Sequence, residues 1–167
     1  MLPYAAQLFW QFAKQGHVWI WRMVCMFWYV LLLLPAFIKI GFYYMTSLDI
    51  VRNIQYGSRP RNFLDIYLPV TPLRSPRKRP VAVFLTGGIW IIGYKAWGAF
   101  FGRMLAAHGI ITVTPDYRNY PQGVIDDMLA DSAAAIEWVH QHIDEYGGDP
   151  ESIHLMGQSA GGTPPDI

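Results

Sequence analysis

The sequence of 167 residues is poor in cysteine and in charge. Its one cysteine, Cys25, excludes a disulfide framework within the chain, and no cysteines and histidines have zinc-site spacing. Charged residues make up 15% of the chain, and 13 basic residues nearly balance 12 acidic ones. The sequence therefore lacks the basic surface of a nucleic-acid-binding protein. Aromatic residues make up 16% of the chain, which excludes a disordered protein.

Hydrophobic residues are concentrated near the amino terminus. Residues 23–38 carry no charge, and the apolar stretch extends over residues 18–41 with only Arg22 and Lys39 interrupting it. A helix over this stretch is about 36 Å long, which is enough to cross a bilayer. Tryptophan and tyrosine rings near its ends suit the membrane–water interface. We predict a single membrane-spanning anchor over about residues 18–41, with membrane lipid as its partner.

Residues 1–12 carry apolar side chains on one helical face, so we expect them to lie in the membrane interface before the span. Residues 1–46 would together form the membrane segment. The alternatives are a buried core helix and a signal peptide. A signal peptide is disfavoured because its charged start and its small-residue cleavage site are not evident. Basic residues flank both ends of the span, so the positive-inside rule gives no orientation.

From residue 47 onward the pattern changes to alternating short strands and helices, which is typical of an α/β domain. The continuous apolar run at residues 81–85 predicts a strand buried on both faces, whereas the alternation at 64–68 predicts a strand with one wet face. Further strands are predicted at residues 110–114 and 152–156, and helices at about 97–108 and 124–146. Residues 47–167 are thus predicted to belong to one α/β domain.

A short glycine motif follows the last predicted strand. Residues 157–161, with the sequence GQSAG, fit the pattern G-x-S-x-G. Gly157 and Gly161 permit a tight turn between strand and helix, and this turn lifts the Ser159 hydroxyl clear of the backbone. We predict that Ser159 is a nucleophile. The alternative is a serine in an ordinary glycine-rich turn, which is the usual explanation of so short a match.

A second glycine motif makes the nucleophile interpretation more specific. Gly87 and Gly88 follow the apolar strand at residues 81–85, about 70 residues before the serine motif. Backbone N–H groups at glycines can approach a substrate closely. Together with the N–H of Ala160, this loop is predicted to bind the oxyanion that forms during acyl transfer.

Three segments of the sequence resemble the α/β-hydrolase fold: TGGIWIIGYKAWG, DYRNYPQG and GGDPESIHLMGQSAGG. The resemblance is strongest to the membrane-bound isoprenylcysteine α-carbonyl methylesterases within the carboxylesterase group. It implies hydrolysis of the methyl ester of a prenylcysteine or a prenylated protein by a Ser/Asp/His triad, without metal or cofactor. It also implies residence in the endoplasmic reticulum or Golgi. Most esterases of the wider group have histidine where Thr86 stands, which favours the methylesterases.

The rest of the triad is missing from the sequence. In this fold the acid and the histidine follow the serine, but no histidine occurs after Ser159. Pro164 and Pro165 would also stop the helix that should begin near Ala160. We therefore expect the amino-terminal part of an α/β hydrolase, truncated after the nucleophile turn. The alternatives are a catalytically dead membrane protein, and an esterase or amidase with another substrate class.

Three further polar groups receive structural interpretations. Asp116 and Arg118 lie at a strand end and are expected to hold the following loop by hydrogen bonds. Asp131 lies with Asp126 and Asp127 opposite the apolar stripe of a helix, so we expect solvated charges there. His154 alternates with apolar residues in a strand, which predicts a hydrogen-bonded place in the core.

Overall fold

A computed structural model describes residues 7, 10–11, 16–70 and 78–162 of the chain. The predicted interfacial segment, residues 1–12, lies outside the described residues except at positions 7 and 10–11. Residues 163–167, including both terminal prolines, lie outside them as well. Contacts between residues divide the chain into two units, Met1–Phe42 and Tyr43–Ile167.

The first unit is dominated by a long apolar helix, α1, His17–Thr46. The helix continues through Pro35, and the side chains of residues 18–42 are almost all exposed. Within Val18–Thr46 an 18-residue window has a mean hydropathy of 2.1, and the helix is long and apolar enough to cross a membrane. A signal sequence can meet the same criteria of length and hydropathy. The predicted span at residues 18–41 lies within the helix, whose last residues, 43–46, belong to the second unit.

The second unit contains a mixed sheet of five strands. These are β1 (Ile50–Gln55), β2 (Phe63–Tyr67), β3 (Arg79–Leu85), β4 (Ile111–Pro115) and β5 (Gly148–Gly157). Their order in the sheet is β1-β2-β4-β3-β5. Strands β4, β3 and β5 are parallel, whereas β2 is antiparallel to both of its neighbours. In the described part of the chain, β5 is therefore an edge strand.

Two helices, α2 (Ala99–Ala107) and α3 (Ile125–His142), connect the parallel strands. On one face of the sheet, Val139 and Ala135 of α3 pack with Val81 and Val83 of β3 in a buried cluster. Phe84 points to the other face, where its ring lies 4.7 Å from that of Phe101 in α2. Because neighbouring strand residues point to opposite faces, the two helices cover opposite sides of the sheet.

The structure corrects three expectations about polar residues. Strand β2 does not have a wet face: residues 64–67 are all buried, and Asp65 is fully buried. Asp131 is only 4% exposed and forms an ion pair with Arg118 instead of lying in solvent. His154 is exposed on β5, so the expected core position is wrong. The apolar pattern of the sequence indicates which residues are hydrophobic, but it does not show the distant partners that allow a charge to be buried.

Candidate active site

The predicted nucleophile lies in the turn that follows β5. The strand ends at Gly157, next to the end of β3 at Leu85, and a 3-10 turn begins at Ser159. The N–H of Gln158 donates to the carbonyl of Leu85 at 3.1 Å. Ser159 is exposed and has a φ of 51°, in the left-handed region that side chains rarely adopt. The turn therefore presents a serine at the carboxyl end of the parallel strands.

The two glycines of the serine motif occupy positions that exclude a side chain. A Cβ at Gly157 would overlap the carbonyl oxygen of Gly161 and lie 2.6 Å from the Cα of Gly162. A Cβ at Gly161 would overlap the carbonyl oxygen of Leu85 and lie 3.0 Å from that of Thr86. All of these neighbours are backbone atoms, so no side-chain rotation relieves the overlap. The tightness of the turn depends on both glycines.

The loop after β3 packs directly against this turn. A Cβ at Gly87 would lie 2.6 Å from the carbonyl oxygen of Gln158 and 3.1 Å from the Cβ of Ser159. Gly88 has a φ of 143°, and Ala160 is buried. Within the described part of the chain, no backbone carbonyl accepts the N–H of Gly87 or Gly88. The structure thus brings together the predicted nucleophile and the glycine loop that was predicted to bind an oxyanion.

Residues 116–119 support this loop from the end of β4. Tyr117 donates its hydroxyl to the carbonyl of Thr86 at 2.6 Å, and Asn119 donates its side-chain amide to the carbonyl of Gly93 at 2.7 Å. Arg61 donates to both carboxylate oxygens of Asp116, at 2.6 and 3.2 Å. Burial raises the pKa of the Asp116 carboxyl, and the hydrogen bonds from Arg61 only partly oppose this. Asp116 and Arg118, which were expected to hold the following loop, are both hydrogen-bonded: Arg118 donates to Asp131 of α3, and Asp116 accepts the N–H of Lys95 at the end of the earlier loop.

Sequence reasoning missed a buried ion pair behind the same loop. Lys95 and Asp65 form this pair, with side chains 3% and 0% exposed. The signal was present in the sequence, because Asp65 is a carboxylate within a short apolar strand and such a group needs a cationic partner. The identity of that partner, 30 positions away, was not readable from local pattern.

A narrow apolar groove adjoins the serine turn and has a volume of about 70 Å³. It is lined by Leu85, Trp90, Tyr117, Ile125, Met128, Leu129, Ser132, Ala160 and Gly161. A larger cavity of about 580 Å³ is lined by residues such as Arg61, Tyr94 and Asp116, and by none of the predicted site residues. Among the described residues, no three His, Cys, Asp or Glu side chains are grouped closely enough to hold a metal ion.

The strand order and the glycine-flanked serine turn define an α/β-hydrolase type of domain. The chain belongs to the carboxylesterase family, because the model of the Carboxylesterase family matches residues 63–166.

Known proteins with related sequences are methylesterases and esterases. The chain is 51% identical over 147 residues to a probable isoprenylcysteine alpha-carbonyl methylesterase of Oryza sativa subsp. japonica, covering 87% of this chain and 34% of the relative. It is 47% identical over 146 residues to the isoprenylcysteine alpha-carbonyl methylesterase of Arabidopsis thaliana, with the same coverage. The chain thus spans about a third of the length of these curated relatives.

A related fold is found in the structure of a thermophilic esterase from Thermogutta terrifontis with bound propionate. The TM-score is 0.59 at 31% sequence identity, and the match covers 69% of this chain and 43% of the esterase.

Proposed function

We propose that the protein is a membrane-anchored serine hydrolase that cleaves carboxylic esters, with Ser159 as its nucleophile. The observation that carries the proposal is the left-handed φ of Ser159 in a turn where Gly87 packs against it. Backbone strain of this kind clusters at active sites, where it holds a reactive group in a fixed place. Membership of the carboxylesterase family supports the same chemistry.

In the proposed reaction, the Ser159 oxygen attacks the ester carbonyl carbon and loses its proton to a general base. The carbonyl oxygen becomes an oxyanion, which accepts hydrogen bonds from the N–H groups of Gly87, Gly88 and Ala160. The base returns the proton to the leaving alkoxide, which departs as an alcohol. Water then cleaves the acyl-serine, which restores the hydroxyl and releases a carboxylic acid.

The proposed substrate is a prenylcysteine methyl ester, free or at the end of a prenylated protein, and the released alcohol is methanol. The names of the relatives support this substrate class. The apolar groove next to Ala160 is a suitable surface for a hydrocarbon group. An anchor at α1 would confine enzyme and lipid-attached substrate to one membrane surface, which raises their effective concentration. A place in the endoplasmic reticulum or Golgi belongs to the same proposal.

The reaction needs a general base beside Ser159, and this requirement leads to a second candidate function. In the described part of the chain no histidine is hydrogen-bonded to Ser159; the rings of His108 and His142 contact backbone carbonyls of their own helices instead. A serine without a base is a poor nucleophile. The second candidate is therefore a non-catalytic membrane protein that retains the serine turn.

Fluorophosphonate labelling of membranes that contain the protein separates the two candidates. The proposed hydrolase gives a labelled band that disappears in Ser159→Ala but persists in Ser152→Ala, a matched change earlier in β5. Absence of a band that depends on Ser159 refutes the catalytic proposal and favours the second candidate.

With an active protein, kcat/KM for a prenylcysteine methyl ester should exceed that for a short acyl ester by about tenfold or more, since each buried methylene contributes about 0.8 kcal/mol. Equal values would contradict the proposed substrate.

A further inference from the structure

We propose that Lys95 is a positioning residue, whose buried ion pair with Asp65 holds the loop at residues 87–95 in the shape required to bind an oxyanion. The proposal rests on the proposed function in that it assigns a role to this loop. Its structural content is independent of catalysis, because it states that the ion pair determines the order of the loop.

The ion pair is the centre of a small buried network. Besides binding Asp65, the ammonium group of Lys95 donates to the side-chain oxygen of Asn53 at 2.8 Å. The Asp65 carboxylate also accepts the Asn53 N–H at 2.8 Å and the Tyr44 hydroxyl at 2.7 Å. Both charges therefore have several partners of suitable polarity, which is what a buried pair requires. The ammonium of Lys95 is fixed in one place.

The loop that ends at Lys95 is strained over its first half. Ile89 and Trp90 have φ values of 46° and 60°, although both carry large side chains. Such conformations are unfavourable for residues with large side chains and persist only where the surrounding structure imposes them. Contacts elsewhere in the fold must therefore hold the first half of this loop in place. We expect these contacts to act at the two ends of the loop.

Backbone contacts connect Lys95 to the serine turn. The N–H of Lys95 donates to Asp116 at 3.2 Å, and the nearby carbonyl of Gly93 accepts from Arg61 at 2.7 Å. Gly93 is also packed against Gly87, since a Cβ at Gly93 would lie 3.0 Å from the Gly87 carbonyl oxygen. Gly87 in turn contacts the serine turn. A shift of the Lys95 backbone therefore reaches the predicted oxyanion donors through two close contacts.

The energetics of buried ion pairs favour positioning over stabilisation as the role of this pair. Desolvation of two charges costs about as much as their attraction returns, and apolar replacements are often neutral or stabilising. Such a pair instead selects one conformation, because a buried ammonium and a buried carboxylate accept only a few arrangements. Here the conformation that the pair selects is that of the strained loop beside Ser159.

The test compares a neutral replacement of the buried pair with a matched replacement of an exposed pair. The double variant Asp65→Asn with Lys95→Met removes both charges and nearly preserves volume. Lys78→Met with Asp144→Asn is the control, because that ion pair has side chains 46% and 53% exposed. Hydrogen–deuterium exchange of the full chain in detergent reports the order of residues 87–94 and requires no enzymatic activity.

We expect exchange in residues 87–94 to accelerate about tenfold or more in the Asp65/Lys95 variant, with α3 and β4 unchanged, and no change in the control. The rate of fluorophosphonate labelling should fall about 10- to 100-fold in the same variant, because displaced donors stabilise the oxyanion poorly. With an ester substrate, kcat should fall while KM stays nearly constant. Wild-type exchange in this loop would overturn the proposal, whether or not Ser159 is reactive.

A second variant decides the case in which the double variant does not fold. Tyr44→Phe removes only the hydroxyl that donates to Asp65 and leaves both charges paired. We expect a smaller acceleration, about threefold, confined to the loop at residues 87–94, because this variant removes one hydrogen bond to the Asp65 carboxylate and leaves the ion pair intact. Unchanged exchange in folded Tyr44→Phe would overturn the proposal.

Discussion

Replacing Gly161 with alanine should separate the serine turn from the end of β3. The new methyl group would overlap the Leu85 carbonyl oxygen and would lie 2.8 Å from the Leu85 carbonyl carbon. These are backbone atoms of a buried strand, so relief requires the strand and the turn to move apart. Overpacking of this kind costs about 1–3 kcal/mol. In a domain of this size the melting temperature should fall by roughly 4–12 °C.

The same movement should affect the reactivity of Ser159 more than the stability of the fold. Thr86 and Gly87 directly follow Leu85, so the loop predicted to bind the oxyanion moves with the strand end. Misplacement of reacting groups by about 1 Å costs on the order of 10²-fold in rate. We therefore expect Gly161→Ala to slow fluorophosphonate labelling by about that factor at a temperature where the variant is fully folded.

Gly162→Ala is the matched control for this prediction. Gly162 lies in the same 3-10 turn, but among the described residues its Cβ would meet its nearest neighbour, the Gly157 carbonyl oxygen, at an ordinary 3.7 Å. The control should keep wild-type melting and a labelling rate within about twofold of wild type, since an exposed substitution without overlap has small effects. Equal behaviour of the two variants would refute the argument that close backbone contact at Gly161 forms the site.

Two further predictions concern the ion pair of α3 and the apolar helix. Asp131→Asn should cost about 2 kcal/mol at pH 7, because Arg118 donates hydrogen bonds to this carboxylate. Burial acts to raise the pKa of Asp131, but the Arg118 hydrogen bonds outweigh it and hold the pKa below its usual 3.8. The carboxylate therefore stabilises the fold above about pH 3.8 and loses this effect as the pH falls through the folded-state pKa. Urea unfolding should show that the free energy of unfolding lost in Asp131→Asn becomes smaller in acid. A loss that stays constant with pH would contradict the predicted direction. Val30→Arg with Leu32→Arg should raise the free energy of membrane insertion of α1 by about 5–7 kcal/mol. This double variant should be released from carbonate-washed membranes, whereas the control Val70→Arg should not. Retention of the double variant in the pellet would exclude α1 as the anchor.

The sequence predicted those parts of the second unit whose signals are local. The uninterrupted apolar run at residues 81–85 is buried throughout, as expected for a central parallel strand. Strand β1 was not predicted, because Arg52 and Asn53 interrupt its apolar pattern. Asn53 has a φ of 58° and lies where the register of β1 against β2 shifts. An irregular strand with a polar bulge does not have the period of two that identifies strands in a sequence.

The sequence predicts the candidate site at those positions where its backbone geometry requires glycine. At Gly87, Gly157 and Gly161 the sequence signal and the structural reason coincide, since a Cβ would overlap backbone atoms at each position. The supporting residues were not predictable in the same way. Tyr117 reaches the loop from the end of β4, whereas Lys95 ends the loop and pairs with Asp65 of β2. Both partners lie about 30 positions away in the sequence.

The last residues of the apolar helix, from Tyr43 onward, belong to the second unit. The change in composition after Thr46 predicts a boundary between residues 46 and 47, and tyrosine rings at this end of the span suit the membrane interface. In the structure, the guanidinium of Arg103 lies 4.9 Å from the Tyr43 ring, and Tyr44 donates to buried Asp65. Arg52 also donates to backbone carbonyls of this last helical turn. An apolar helix whose final turn satisfies a buried carboxylate is part of the domain at that point, because removing the turn would leave the carboxylate short of a donor.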